Sequence, residues 1–185
     1  MRDSTPIRRV ILVGFMGSGK TLVGQALARR LGWGFRDFDQ EVRTRVGLPI
    51  PDIFRQHGED HFREMEAEVA ARLLREEEVV LASGGGWASR PGWLEDLPSG
   101  TISLWLKVSA EEAVRRVLKE GPTRPLLAVP DPLARARELL SAREPAYRAA
   151  DLSLDSEGQD PAVLAERIEQ LLEDSGRGRV PSTTG

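Results

Sequence analysis

Residues 11–24 read ILVGFMGSGKTLVG, and within this stretch Gly14, Gly19, Lys20 and Thr21 stand at the spacing of a phosphate-binding loop. Glycines let backbone N–H groups curl around phosphate oxygens, and a helix that begins just after them turns its positive dipole end toward the same place. A lysine there reaches the β and γ phosphates of a nucleoside triphosphate, and the hydroxyl next to it is suited to magnesium. Lys20 also stands out by type, because among 26 basic residues only Lys20, Lys107 and Lys119 are lysines. Such a loop holds a triphosphate without saying where the phosphoryl group goes.

A second set of residues bears on that question. FRDFDQ carries Asp37 and Asp39; in an extended strand they would project together from its carboxyl end, where open parallel sheets bind ligands. One carboxylate near magnesium and another near an acceptor hydroxyl would suit phosphoryl transfer, in which positioning and charge neutralisation supply most of the catalysis. The alternative is a solvated acidic turn that caps the next helix. In FREME, Arg63 precedes Glu66 by one helical turn, either as an anion site with its orienting partner or as a surface ion pair. Gly84, Gly85 and Gly86 end the run VVLAS, which admits a ligand close to the backbone or forms a plain turn. GPTRPLLAVPDP is a proline-punctuated loop carrying Arg124, either a lid over phosphates or an ordinary helix connection.

These residues need a frame, and the chain supplies strands alternating with helices. RRVILVGF is an apolar run of the buried parallel-strand kind, and in TLVGQALARRLG the residues Leu22, Val23, Ala26, Leu27 and Leu31 fall at helical spacing. WGFRDFD reads as strand, DHFREMEAEVAARLLREEE as helix, and VVLAS and TISLWLK as strands, with a last strand near DLSLD. Ser109 and Glu112 have capping-box spacing ahead of AEEAVRRVLKE. Asp131-Pro132 and Asp160-Pro161 each read as a cap followed by a first-turn proline, opening DPLARARELLSAREPAYRAA and DPAVLAERIEQLLED. The pattern implies an α/β fold, a parallel sheet covered on both faces. One domain is expected over 1–174, and SGRGRVPSTTG at the end reads as a disordered tail over 175–185.

Composition narrows the class. With 185 residues, 40% of them hydrophobic, the chain can bury one good core. A net charge of −3 argues against nucleic-acid binding by bulk electrostatics. The absence of cysteine excludes disulfides and thiolate metal sites. No secretory leader pattern or membrane-length apolar run is present, so the expectation is a soluble cytoplasmic protein with no membrane partner.

Taken in order, GFMGSGKT, FRDFDQ, IPDIFRQHGEDHFREME, SGGG, TRPLL and REPAY resemble the shikimate kinases, which use ATP to phosphorylate the 3-hydroxyl of shikimate on the route to chorismate and the aromatic amino acids. No single piece decides the likeness; their order and spacing do. The resemblance implies a P-loop fold of the nucleoside-monophosphate-kinase kind, with a five-stranded parallel sheet ordered 2-3-1-4-5, a substrate-binding segment over about 38–66 and a lid over about 119–130. It assigns Gly14, Gly17, Ser18, Gly19, Lys20, Thr21 and Leu22 to ATP, and Thr21 and, through water, Asp37 to Mg2+. Asp39 matches the aspartate that holds the ring hydroxyls and accepts the proton. Arg63 and Arg143 match the arginines that grip the substrate carboxylate, Gly85 approaches the substrate through its backbone, and Arg124 matches a lid arginine that moves onto the phosphates. Phe54 and Phe62 would supply apolar walls, with core packing as their other reading, and Glu66 would orient Arg63. An arginine pair suits a carboxylate because each planar fork meets it bidentately. Trp87, directly after the glycine triplet, is bulkier than the family pattern leads one to expect.

Two other readings share these features. A gluconate kinase has the same loop and a polyhydroxy acid substrate, but the ordered DFD, FREME and RPLL set favours shikimate. A non-catalytic sensor would be expected to carry a DNA-binding unit, for which the chain has no spare length, and Lys20 and Asp39 are both present. A monomer is expected.

Overall fold

The computed structural model describes residues 5–90, 92–120 and 125–175. Five strands form one parallel sheet: β1 (Arg9–Val13), β2 (Gly34–Asp37), β3 (Val79–Ala82), β4 (Thr101–Lys107) and β5 (Leu152–Asp155), in the order β2-β3-β1-β4-β5. That is the expected order. Six helices accompany them: α1 (Lys20–Leu31), α2 (Phe38–Val46), α3 (Ile50–Leu73), α4 (Ala110–Glu120), α5 (Pro132–Tyr147) and α6 (Pro161–Asp174).

The strands are apolar without alternation because both faces are covered. In β1, Val10 and Leu12 face a core shared with Leu27 of α1 and Ile168 of α6, whereas Ile11 and Val13 face the opposite core with Ile53, Val69 and Tyr147. β1 lies between β3 and β4, with Leu12 level with Ala82 on one side and Leu104 on the other. The loop that follows β1 therefore opens at the carboxyl edge of the sheet, with the ends of β3 and β4 beside it.

Several local readings are corrected. Leu22 is 59% exposed and stays outside the apolar face of α1, which is made by Val23, Ala26, Leu27 and Leu31. β2 ends at Asp37, and Asp39 lies in the first turn of α2, so the two aspartates do not alternate along a strand. The physical reason is the cap: Asp37 keeps extended backbone angles while its carboxylate accepts from the Gln40 amide at 3.2 Å, which starts a helix at Phe38. The helix through FREME begins ten residues earlier than expected and is interrupted by Gly58, whose φ of 82° is non-helical. Of the capping box only one half forms, since the Glu112 amide donates to Ser109 Oγ at 3.2 Å while the Glu112 carboxylate turns to Arg115 and Arg116. The caps at Asp131 and Asp160 form as read. The tail expectation for 175–185 lies, but for Ser175, outside the described residues.

Candidate active site

The phosphate-binding loop sits where its spacing requires, between β1 and α1. Gly14 has φ 141°, and a Cβ there would lie 2.4 Å from the Leu106 carbonyl oxygen of β4, so backbone angle and space both demand glycine. Gly19 precedes α1 in the left-handed region, with no side chain capping the helix and no acidic residue in its first turn. The first amides of α1 are thus left for an anion. Lys20 Nζ lies over the loop, 2.8 Å from the carbonyl oxygens of Gly14 and of Phe15 and 3.4 Å from Ser18 Oγ. Ser18 is fully buried beneath it.

Arg116 was not legible as part of this site. From α4 its guanidinium donates to the Gly17 carbonyl at 3.0 Å and to the Ser156 carbonyl at 2.9 Å, and its Nε donates to Glu112 at 2.6 Å. One side chain therefore joins the loop to the segment after β5. The available signal was the i,i+4 spacing of Glu112 and Arg116, which sequence alone does not distinguish from a surface pair.

Thr21 and Asp37 meet at the mouth of the loop. The Thr21 hydroxyl donates to Asp37 Oδ2 at 2.6 Å, while the other carboxylate oxygen holds the cap of α2. The capping reading of Asp37 is therefore observed, and its second oxygen is turned to Thr21. A hydroxyl and a carboxylate side by side at the mouth of the loop are hard oxygen donors of the kind magnesium takes, so the residues present fit that ion. They line a cavity of about 720 Å³ together with Lys20, Leu22, Asp39, Ser83 and Gly85.

A narrower cleft adjoins it, lined by Phe54, Phe62, Arg63, Glu66, Gly86 and Arg143; the two share Met16, Asp39, Ile50 and Gly85. The Phe54 and Phe62 rings lie 4.9 Å apart between centroids, tilted by 42°; both border the cleft, and Phe62 also belongs to the core. Arg63 donates to Glu66 at 2.8 Å and to Glu59 at 3.1 Å. Burial alone would lower the pKa of Arg63, but the Glu66 and Glu59 carboxylates raise it above its ordinary value. Glu66 is 1% exposed, and burial pushes its carboxyl above the usual range despite Arg63 beside it.

The glycine triplet is needed by the protein itself. A Cβ on Gly84 would lie 1.8 Å from Glu66 Oε1, and one on Gly86 would lie 2.8 Å from the Arg63 guanidinium carbon. The α3 ion pair lies flat against these two residues. Gly85 presents its carbonyl to Arg143 Nη1 at 3.2 Å and to the Tyr147 hydroxyl. Arg63 and Arg143 therefore reach one cleft from opposite sides of the triplet. Gly86→Ala is expected to displace the Arg63 fork and raise KM for the acceptor about tenfold with little change in melting temperature; an unchanged KM would show that the fork has room to spare.

Tyr147 was missed, although REPAY places it four residues after Arg143 on the same face of α5. It is fully buried and is the only tyrosine. Burial pushes its hydroxyl up to about 12, only partly countered by Arg143. A raised pKa means that the folded state holds this proton longer than the unfolded chain, so the associated stability is intact below about pH 10 and is lost between about 10 and 12, by roughly 2–3 kcal/mol. Tyrosinate absorbance should accordingly appear near pH 12 in the native protein and near pH 10 in denaturant. Coincident native and denatured titrations would contradict the burial.

Trp87 does not line either cavity. It is 2% exposed and packs edge-on against Phe38 at 5.4 Å and Trp93 at 5.0 Å, in a short 3-10 turn lying against α3 and α5. Its bulk is spent beneath the site. Arg124 and the lid residues 121–124 lie outside the described residues; of the remainder, Leu126 borders the cleft and Leu127 is buried.

A parallel α/β sheet with a phosphate-binding loop at its carboxyl edge and a cationic acceptor cleft beside it defines a small-molecule kinase of the P-loop class. The chain belongs to the shikimate kinase family, whose model, described as Shikimate kinase, matches residues 16–173. It is 46% identical to a shikimate kinase of Nitrobacter winogradskyi over 80% of this chain and 69% of that one. With a shikimate kinase of Moorella thermoacetica it shares 42% identity over 88% of this chain and 93% of the relative. Among solved structures, a shikimate kinase from Acinetobacter baumannii in complex with shikimate superposes with a TM-score of 0.86 at 36% identity, covering 91% and 94% of the two chains.

Proposed function

We propose that this protein transfers the γ-phosphoryl group of ATP to the 3-hydroxyl of shikimate, giving shikimate 3-phosphate and ADP. Family membership supports the reaction, and one structural observation carries the assignment of roles: Asp39 borders both the phosphate cavity and the arginine-lined cleft. A carboxylate at that seam meets the acceptor hydroxyl where it faces the γ-phosphorus. The bond from the 3-oxygen to phosphorus forms as the bond to the β–γ bridging oxygen breaks, Asp39 takes the hydroxyl proton, and ADP leaves with the bridging oxygen.

The loop amides and the N-terminus of α1 hold the phosphates, and Lys20 leaves the Gly14 and Phe15 carbonyls to compensate charge on the transferred group. Magnesium, when bound, would neutralise phosphate charge; Thr21 and, through water, Asp37 are the residues that would hold it. Arg63 and Arg143 grip the substrate carboxylate, Glu66 orients Arg63, Gly85 approaches the ring through its backbone, and Phe54 and Phe62 wall it. Gly14, Gly17, Ser18, Gly19 and Leu22 complete the ATP site, and Arg124 is assigned to the phosphates on the resemblance alone. Among the described residues no helix is long and apolar enough to cross a membrane. A cytoplasmic monomer acting on small molecules is the setting that accords with this chemistry.

Coupled ADP release tests the reading with shikimate, gluconate and no acceptor. ADP release that depends on shikimate is expected. Comparable turnover of gluconate would overturn the substrate, and no acceptor-dependent release would overturn catalysis.

A further inference from the structure

The only two histidines of the chain, His57 and His61, stand four residues apart in α3 and line neither of the two cavities. Both are exposed, and their ring centroids lie 5.1 Å apart with the planes inclined by 43°. In a regular helix that spacing alone would bring the side chains together. Here the helix is not regular, since Gly58 between them has φ 82° and ψ 171°, and the rings meet all the same.

Two imidazoles in water gain little from lying side by side, whereas one ion held between them accounts for the distance. With Zn–N bonds of about 2.0–2.1 Å and a tetrahedral angle, two imidazoles on one zinc ion have their centroids about 5 Å apart. His61 is also oriented for the task, because its Nδ1 lies 3.9 Å from a carboxylate oxygen of Glu64. A carboxylate on that side favours the proton on Nδ1 and leaves Nε2 as the ligand, the usual arrangement of a metal-binding histidine. Among the described residues no group of three or more His, Cys, Asp or Glu could hold a metal ion, so water would complete the shell. Imidazole nitrogens suit zinc, copper and nickel, whereas magnesium takes oxygen donors, which keeps this pair apart from Thr21 and Asp37.

The pair spans the kink that precedes the acceptor cleft. A Cβ on Gly58 would meet nothing within 4 Å, so no packing at that point fixes the bend. Glu59, the next residue, pairs with Arg63 at 3.1 Å. An ion joining His57 to His61 would fix the backbone between them and with it the Glu59 carboxylate on Arg63, where an entering carboxylate has to displace it.

We infer that His57 and His61 form a site for a zinc-like transition-metal dication that bridges the Gly58 kink and opposes acceptor binding in the adjoining cleft. The site itself is independent of the reaction; its effect on the cleft rests on the reading of Arg63 as a ligand of the substrate carboxylate.

The test measures Zn2+ binding to the full, untagged chain by isothermal titration, without nucleotide and with Mg2+ in excess to occupy oxygen sites. One zinc ion per chain is expected to bind. His57→Ala and His61→Ala should each weaken it about a hundredfold, because the second ligand of a chelating pair acts at high effective concentration. Saturating shikimate is expected to weaken Zn2+ binding to the wild type about fivefold, and Zn2+ should weaken shikimate binding by the same factor. Zn2+ affinity of either alanine variant within about twofold of wild type would overturn the site, as would the absence of wild-type binding under excess Mg2+. Zn2+ affinity unmoved by shikimate, in a wild type that binds shikimate when Zn2+ is absent, would overturn the opposition to the acceptor. A wild type that binds Zn2+ through both histidines and does not bind shikimate at all would remove the acceptor reading, and the opposition with it, while the metal site would stand.

Discussion

Lys20→Ala is expected to lower kcat by about 10²- to 10³-fold at saturating ATP and magnesium, the loss that follows removal of one preorganised charge donor from a transition state. The charge on the transferred phosphoryl group spreads over its equatorial oxygens, and Arg116, the other cation described at the loop, is already held by Glu112 and by the Gly17 and Ser156 carbonyls. Stability should respond far less. Lys20 Nζ lies 2.8 Å from two loop carbonyls and 3.4 Å from a hydroxyl, all neutral acceptors. Removing the ammonium takes one donor from these neutral acceptors, so the expected change in unfolding free energy is about 1–2 kcal/mol. Initial rates and a thermal melt on the same preparation separate the two effects. Turnover within a few-fold of wild type would remove Lys20 from the chemistry, and a large drop in melting temperature would assign it to the architecture of the loop.

The sheet was legible because each strand is a continuous apolar run bounded by turn residues, and a strand buried on both faces leaves no ambiguity about which side is wet. The loop was legible because glycines at fixed offsets answer to a backbone geometry that other residues resist. Asp37 ends strand β2 as expected, whereas Asp39 was placed on the wrong kind of element and lies in the first turn of α2. Spacing of two matches a strand, and a cap followed by a helical first turn satisfies the same two letters; only the bond from the Gln40 amide to Asp37 decides between them. The glycine triplet was read as room for a ligand, whereas at Gly84 and Gly86 the room is filled by Glu66 and Arg63 arriving from α3. Contacts of that kind, like those of Arg116 with Gly17 and of Tyr147 with Gly85, join residues far apart in the chain and leave no periodic trace. Trp87 is the same case seen from the other side, since its bulk is explained only by Phe38 and Trp93.

The clamp offers the sharpest test of substrate identity. Arg63 has its guanidinium against Gly86 and its two terminal nitrogens on Glu66 and Glu59, while Arg143 reaches Gly85 from α5. Glu66 is buried and Glu59 is half-exposed, so a carboxylate entering the cleft can take the place of Glu59 while Glu66 keeps the fork oriented. Arg63→Lys preserves the charge and loses the fork. An ammonium satisfies Glu66 or the incoming carboxylate with directed bonds, but it does not present two parallel donors to the substrate. One charge-assisted bond of this kind contributes roughly 1.5–3 kcal/mol, which corresponds to a fall in kcat/KM for shikimate of about tenfold to a few hundredfold. ATP binding should be nearly unchanged, because Arg63 borders only the acceptor cleft. The control is a shikimate analogue whose carboxylate is replaced by a neutral group. Wild type should use it poorly, and Arg63→Lys should lose much less on the analogue than on shikimate, since the interaction weakened by the substitution is already missing. Equal impairment on both compounds would mean that Arg63 acts through α3 and the glycine triplet rather than on the substrate, and the cationic clamp would then rest on Arg143 alone.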